Sequence, residues 1–435
     1  ATIYYVSGKR SDRHTGLSKK KAFRTFEPVQ KVLKAGDTVY VMNGTYTNLT
    51  PVSSIVSIKN LQAKATQPTT IKAYPRHAPI LQANRNNWNA VSITGSSHVV
   101  IEGLTMLGAR DQITLDYALA EKDNRTNPAT SGNGVQVTYI DGPNKTAAEK
   151  IHSTHVTIRN NAVSNFPGGG IATTEVDYVT IENNVVSGNA YYSPYGTQGI
   201  THLRLWDSDA NTTAYKIIIR GNTVFDNEQK VPWFRGGGKL TEGHGIMLDT
   251  ASNRETTGIA YRGRALIANN LVYHNGGSGI NIFAGSNPVD VVNNTTYENA
   301  KTLTKSGEIS FNYSQNGRAY NNIMYARTDR AANNINRSTN IIFNSNLVDN
   351  IPGFQASDQL AVGALRNLLN RDPRFVDAAN GNFTLQANSP AINAGIAKGA
   401  PRQDKYGAVR DRRVDIGAFE AVSYTHLTLP TNREV

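Results

Sequence analysis

The sequence predicts an all-β solenoid, with short strands stacked as parallel coils. Three observations predict it. A polar corner, Asn-Asn or Gly-Asn, recurs between two short strands in VTIRNNAV (156–163), VTIENNVV (179–186), IIIRGNTV (217–224), ALIANNLV (265–272), VDVVNNTT (289–296) and GRAYNNIM (317–324). Its spacing is nearly constant where nothing intervenes, 23 residues from Asn161 to Asn184 and 24 from Asn270 to Asn294. A further strand in each coil opens on glycine: GVQVT (134–138), GIATTE (170–175), GITHLRLWD (199–207), GIMLDT (245–250), GINIFA (279–284) and GEISFN (307–312). A short period built from strands means coils that bury their faces only against neighbouring coils.

Residues 1–50 read as a cap. In Thr25–Lys34, Phe26, Val29, Val32 and Leu33 fall at helical spacing after a candidate Thr25 N-cap, so a short amphipathic helix is expected there. Such a helix would cover the open end of the first coil, which otherwise exposes apolar interior. TVYV (38–41) alternates as a strand and Asn43-Gly44 makes a tight turn. The body, 51–421, is expected to be the solenoid with its C-terminal segment.

Asparagine suits the corners because it tolerates the left-handed backbone and its amide can bond to the equivalent residue of the next coil. The ladder is therefore read as structural. The intervals Asn184 to Asn222 (38 residues) and Asn222 to Asn270 (48) are stretched by insertions rich in glycine and aromatic residues, NAYYSPYGTQG (189–199) and PWFRGGGKLTEGHG (232–245). Insertions in solenoids collect on one face, often the binding face. Alternation puts Ile171, Ile246, Leu248, Ile280 and Ile282 inward and Met247, Asp249, Asn281 and Phe283 outward. In GEISFN it puts Glu308, Ser310 and Asn312 outward. In GITHLRLWD, if Leu203 and Leu205 point inward, His202, Arg204 and Trp206 face out.

The chain of 435 residues has no cysteine, which removes disulfides and thiol chemistry. It has no apolar run of membrane-spanning length, and it starts at ATIYYVSG without a basic, apolar leader, as a mature secreted or periplasmic bacterial protein would. Net charge is +12, partly from Lys9, Arg10, Arg13, Lys19, Lys20 and Lys21. That charge favours a polyanion; with no zinc-finger or helix-turn-helix signature, an acidic polysaccharide is the expected partner rather than nucleic acid or membrane, bound by a monomer.

The opening YYVSGKRSD…GLS…AFRTFEPVQKVLKAGDTVYVMNGTY resembles the cap of secreted right-handed parallel β-helix proteins of the pectate-lyase-like superfamily. NRDPRFVDAANGNFTLQANSPAINAG (370–395) with DIGAFE (415–420) resembles a C-terminal segment of the same group. The resemblance implies a right-handed parallel β-helix and extends to about residue 421. It leaves the activity open among polysaccharide lyases, glycoside hydrolases, epimerases and adhesins. Family nine pectate lyases use a calcium site of several aspartates and a lysine base; their clustered aspartate pairs on adjacent coils are not evident here, and the DPHE-type motif of alginate epimerases is absent. The last stretch, AVSYTHLTLPTNREV, follows no coil pattern and resembles translated adapter read-through at the end of a metagenomic fragment, so 422–435 are set aside as non-native.

Candidate chemistry sits on the coils with insertions. Glu242, His244 and Asp249 lie within eight residues, next to a coil carrying His202, Arg204, Asp207 and Asp209. Asn281, Lys305 and Glu308 come from the coils beyond. The favoured expectation is an extracellular lyase that cleaves a uronic-acid glycan by β-elimination, with Arg204, Lys305 or His202 as base and Ca2+ on Asp207, Glu242 and Asp249. The alternative is a glycoside hydrolase pairing Asp249 with Glu308, Asp207 or Glu242. A third reading is a non-catalytic glycan-binding β-helix. Trp206, Trp233, Tyr192 and Tyr195 are candidates to stack on sugar rings, although each could instead pack a loop. Asp207, Asp209 and the Asp249–Asn253 run also suit turns.

Overall fold

A computed structural model describes residues 1–249, 258–350 and 366–421. Three long parallel sheets, two of eleven strands and one of nine, wrap a single apolar core. Each complete coil gives one strand to each sheet, and strands one coil apart pair in register, as with Val156↔Val179 and Val163↔Val186. The core is a stack of like residues: Ile158, Ile181, Ile219 and Ile267 form one column and Ile171, Ile200, Ile246 and Ile280 another, all buried. The architecture is a right-handed parallel β-helix, as expected.

The two corner residues divide the labour. The first takes the left-handed conformation, with φ of 57° at Asn160, 56° at Asn183 and 68° at Gly221, which explains why glycine can replace that asparagine. The second forms the ladder. Asn161, Asn184, Asn222, Asn270, Asn294, Asn322, Asn346 and Asn367 follow one another, and from Asn184 onward each Oδ1 accepts both the backbone N–H and the Nδ2–H of the asparagine one coil earlier at 2.9–3.1 Å.

A second ladder, which sequence reasoning missed, runs along the next corner through Asn189, Asn227, Asn275 and Asn299. It ends on Glu308, whose two carboxylate oxygens accept Asn299 N–H at 3.0 Å and Asn299 Nδ2–H at 2.7 Å. The glycines that open the nine-stranded sheet's strands are needed beside it: a Cβ on Gly245 would sit 2.8 Å from Asn275 Nδ2 and 2.7 Å from Gly279 O.

The cap helix, α1 (Glu27–Val32), is shorter than expected. Thr25 is not its N-cap; Phe26 is, and Thr25 Oγ1 donates instead to Asp12 Oδ2 at 2.7 Å. Phe26 and Val29 are buried over the first coil, while Val32 remains 37% exposed. Beyond Leu369, the chain to 421 folds back over the outside of the asparagine corner, where Arg410 Nη2 donates to Asn269 Oδ1 and Asn293 Nδ2 donates to the carbonyl of Asp415. Residues 250–253 and the tail 422–435, both singled out from sequence, lie outside the described residues.

Candidate functional site

The nine-stranded sheet builds the site. Its strands are β1 (Ser53–Lys59), β2 (Asn87–Thr94), β3 (Asn133–Thr138), β4 (Ile171–Thr174), β5 (Ile200–Leu203), β6 (Ile246–Asp249), β7 (Ile280–Phe283), β8 (Ile309–Asn312) and β9 (Asn333–Asn336). The outward side chains form two parallel rows, Gln136-Ala172-Thr201-Met247-Asn281 and Thr174-Leu203-Asp249-Phe283-Asn312. These rows are the floor of a groove of about 1600 Å³ that runs from Trp88 to Asn336. Seven strand steps of about 4.8 Å make it roughly 34 Å long. The loops that feed β5, β6 and β8 raise one rim with Tyr195, Trp233, Phe234 and Lys305. Arg204 and Tyr313, which follow strands, stand on the other.

At the centre of the groove, Glu242 and His244 come from the long insertion and Asp249 ends β6. Glu242 is held at both ends. Gln198 Nε2–H donates to Glu242 Oε2 at 2.6 Å, and Gln229 Oε1 accepts the N–H groups of Thr241 and Glu242 at 2.7 and 2.8 Å. Burial, reinforced by the charge of Asp249, pushes the Glu242 carboxyl up to about 8. His244 Nδ1 accepts Ser278 N–H at 2.8 Å, so the neutral ring carries its proton on Nε2, which lies 3.8 Å from Glu242 Oε2. Burial lowers His244 to about 4, which keeps it neutral. Asn281 Oδ1 accepts from Asn312 Nδ2 at 2.8 Å. Arg204 has φ +51° and a buried Nε without a hydrogen-bond partner.

Of the residues expected here, Glu242, His244, Asp249, Arg204, Asn281, Lys305, Trp233 and Tyr195 are brought together. Five are elsewhere. His202 points into the core: the left-handed turn at Arg204 breaks the alternation, so His202 and Leu205 are both inward and Leu203 faces the groove. His202 Nδ1 lies 2.5 Å from Thr173 Oγ1, and burial lowers it to about 3. Glu308 ends the second ladder in the core, as described. Trp206 stacks on His152, with ring centroids 3.7 Å apart and planes within 3°. Tyr192 packs on a small cluster with Ile113, Ala118 and Val231.

Asp207 is the fifth. It pairs with Lys216 Nζ at 3.1 Å, and Asp209 at 3.1 Å and Asp177 at 2.8 Å share the same ammonium. The expected calcium set is therefore not gathered, and among the described residues no group of three His, Asp or Glu side chains is arranged to hold a metal. Gln198 and Gln229 are the site residues that sequence reasoning missed. As single amides in loops, they follow no repeat that could flag them.

A family model described as "Right handed beta helix region" matches residues 53–301. The chain belongs to this β-helix family. Among solved structures, the β-helix is similar to the pectate lyase Pel9A at 17% identity, covering 97% of this chain and 96% of that one with a TM-score of 0.52. It is similar to a rhamnogalacturonan lyase at 14% identity, covering 96% of each chain with a TM-score of 0.51. A glycoside hydrolase at 8% identity covers 85% of this chain and 96% of its own, with a TM-score of 0.51. No curated protein sequence matches this member of the β-helix family. Among the described residues no helix is long and apolar enough to cross a membrane.

Proposed function

We propose that the groove binds a glycan chain and cleaves it by hydrolysis, with Glu242 as general acid and Asp249 as its carboxylate partner. The observation that carries this reading is the pairing of a buried carboxyl pushed up to about 8 with a second carboxyl whose charge contributes to that shift. A carboxyl that burial keeps protonated beside a second carboxyl is what glycosidic cleavage needs: one donates a proton to the leaving oxygen, and the other activates water or attacks the sugar. Gln198 orients Glu242. Trp233 and Tyr195 on the rim offer apolar faces to sugar rings, Trp233 being oriented by its Nε1–H···Thr241 Oγ1 bond at 2.7 Å. The lyases and glycoside hydrolase that share the fold support a carbohydrate-active enzyme in general.

β-Elimination on an acidic glycan is the second reading, favoured by Arg204, a cationic side chain lining the groove that suits a uronate carboxylate. One experiment tests both: incubate the protein with neutral and acidic polysaccharides and follow reducing ends and ultraviolet absorbance together. Reducing ends without absorbance support hydrolysis. Absorbing, unsaturated products overturn it in favour of elimination. Binding without turnover on any substrate leaves a glycan-binding protein.

A further inference from the structure

Away from the groove, residues 9–24 of the cap carry seven cations against one carboxylate, a net +6 that is half the +12 of the chain. The carboxylate, Asp12, is already occupied. Its Oδ1 accepts the N–H groups of Arg24 and Thr25 at 2.8 and 2.7 Å, and its Oδ2 accepts Thr25 Oγ1–H. Lys9, Arg10, Arg13, Lys19, Lys20 and Lys21 are all exposed, and none forms an ion pair among the described residues.

The loop that carries them is pinned rather than loose. Gly8 N–H donates to Asn43 O, Gly16 N–H to Lys21 O and Tyr5 N–H to Gly16 O, at 3.1, 2.7 and 2.7 Å, and His14 Nδ1 lies 3.0 Å from Ala22 O. Beside it, half-buried Tyr5, Tyr40 and Tyr74 pack together with centroids 5.6–6.3 Å apart, and Lys19 Nζ lies 5.0 Å from the Tyr74 ring centre. Tyr5 and Tyr40 lie on an eleven-stranded sheet, not on the groove sheet.

We infer that this basic and aromatic face of the cap is a second, non-catalytic binding surface for a carboxylated polysaccharide. Unpaired cations held on a fixed loop attract a polyanion without first having to be ordered. The tyrosine rings are half-buried and already packed on one another, rather than presented singly for stacked bases. That favours a carboxylated glycan over nucleic acid. Such a surface would keep the enzyme on an anionic polymer while the groove works on the chain it cleaves, and avidity from two sites can exceed either affinity alone.

The test is retention of the full chain on polygalacturonate-coupled resin, with dextran resin and single-stranded DNA resin as comparisons at the same low salt. The wild type is expected to bind polygalacturonate and elute as salt is raised, and to pass through dextran. The variant Arg13→Glu/Lys19→Glu/Lys20→Glu/Lys21→Glu should lose at least tenfold in affinity with an unchanged Tm, since all four side chains are exposed. Unchanged retention by that variant would overturn the inference, as would equal retention on dextran. Tighter binding to DNA than to polygalacturonate would also overturn it, in favour of a nucleic acid partner. Binding is read without turnover, so failure here is distinct from failure of the hydrolytic reading.

Discussion

Gln198 donates its side-chain N–H to Glu242 at 2.6 Å and, through its oxygen, accepts the backbone N–H of His244 at 2.7 Å. One buried amide thus sets both the carboxyl and the segment that carries the imidazole. Replacing Gln198 with leucine removes the donor that favours charged Glu242, so its pKa should climb further, and it frees the 242–244 segment. A hydrogen bond to a charged group contributes about 1.5–3 kcal/mol, so turnover should fall on the order of tenfold to a hundredfold. Steady-state kinetics on whichever glycan the wild type cleaves checks this. Equal kcat in the two proteins would remove Gln198 from the site.

Glu242 should set the alkaline limit of activity. Its acid form is present below about 8 and is lost above it, so kcat/KM should decline as pH rises through that value. Glu242→Gln should cost about 10²–10⁴-fold, the range typical of a positioned acid. A pH–rate profile that keeps rising beyond pH 9 would contradict the assignment.

Glu308 gives a separate dependence on stability. Burial, opposed by its bonds from Asn299, raises its carboxyl to about 8, above its value in the unfolded chain. The native state therefore holds a proton that the unfolded state releases, and stability is greatest below the unfolded pKa and is lost as pH rises towards 8. Glu242 contributes with the same sign. Urea unfolding at intervals from pH 5 to 9 should show a decline, and Glu308→Gln should flatten part of it. An amide can still accept from Asn299 there, as the asparagine rungs do.

How much of this was legible varies with the kind of signal. The corner repeat was legible because each coil repeats it at a fixed phase, and the outward rank of Met247, Asp249, Asn281 and Phe283 followed from alternation. The second ladder was also written in the sequence, as N-x4-N at 184/189, 222/227, 270/275 and 294/299, and it went unread beside the stronger Asn-Asn signal. His202 was misplaced because alternation was carried through Arg204, where a left-handed residue resets the phase. Asp207 and Trp206 lie beyond that reset, so they left the groove with it. Gln198 and Gln229 depend on how two loops fold onto each other, which no local pattern encodes.

The ladder itself can be weighed. Asn275 is fully buried; its Nδ2 donates to Val224 O and Asn299 Oδ1, and its Oδ1 accepts two bonds from Asn227. Asn275→Ala leaves several of these partners without replacement, at about 1–3 kcal/mol for each group left unsatisfied. A drop of several kcal/mol in urea unfolding is expected. Asn340→Ala, at an exposed rung outside the core, should cost far less.

Lys216 should prove a structural ion rather than a catalytic one. Burial alone would lower its pKa, but Asp177 and then Asp209 and Asp207 reverse this and hold it charged. Its side chain and that of Asp177 are both fully buried, and Tyr261 OH donates to Asp177 Oδ1 at 2.6 Å. Lys216→Met leaves Asp177 charged and buried without its counter-ion, a change that costs about 3–5 kcal/mol. The comparison is Arg220→Met, which breaks the half-exposed pair with Glu182 and should cost about 0–1 kcal/mol. Because the Lys216 cluster lies outside the groove, the Lys216 variant should keep kcat at temperatures where it remains folded. Loss of kcat with intact folding would mean that this cluster reaches the chemistry after all.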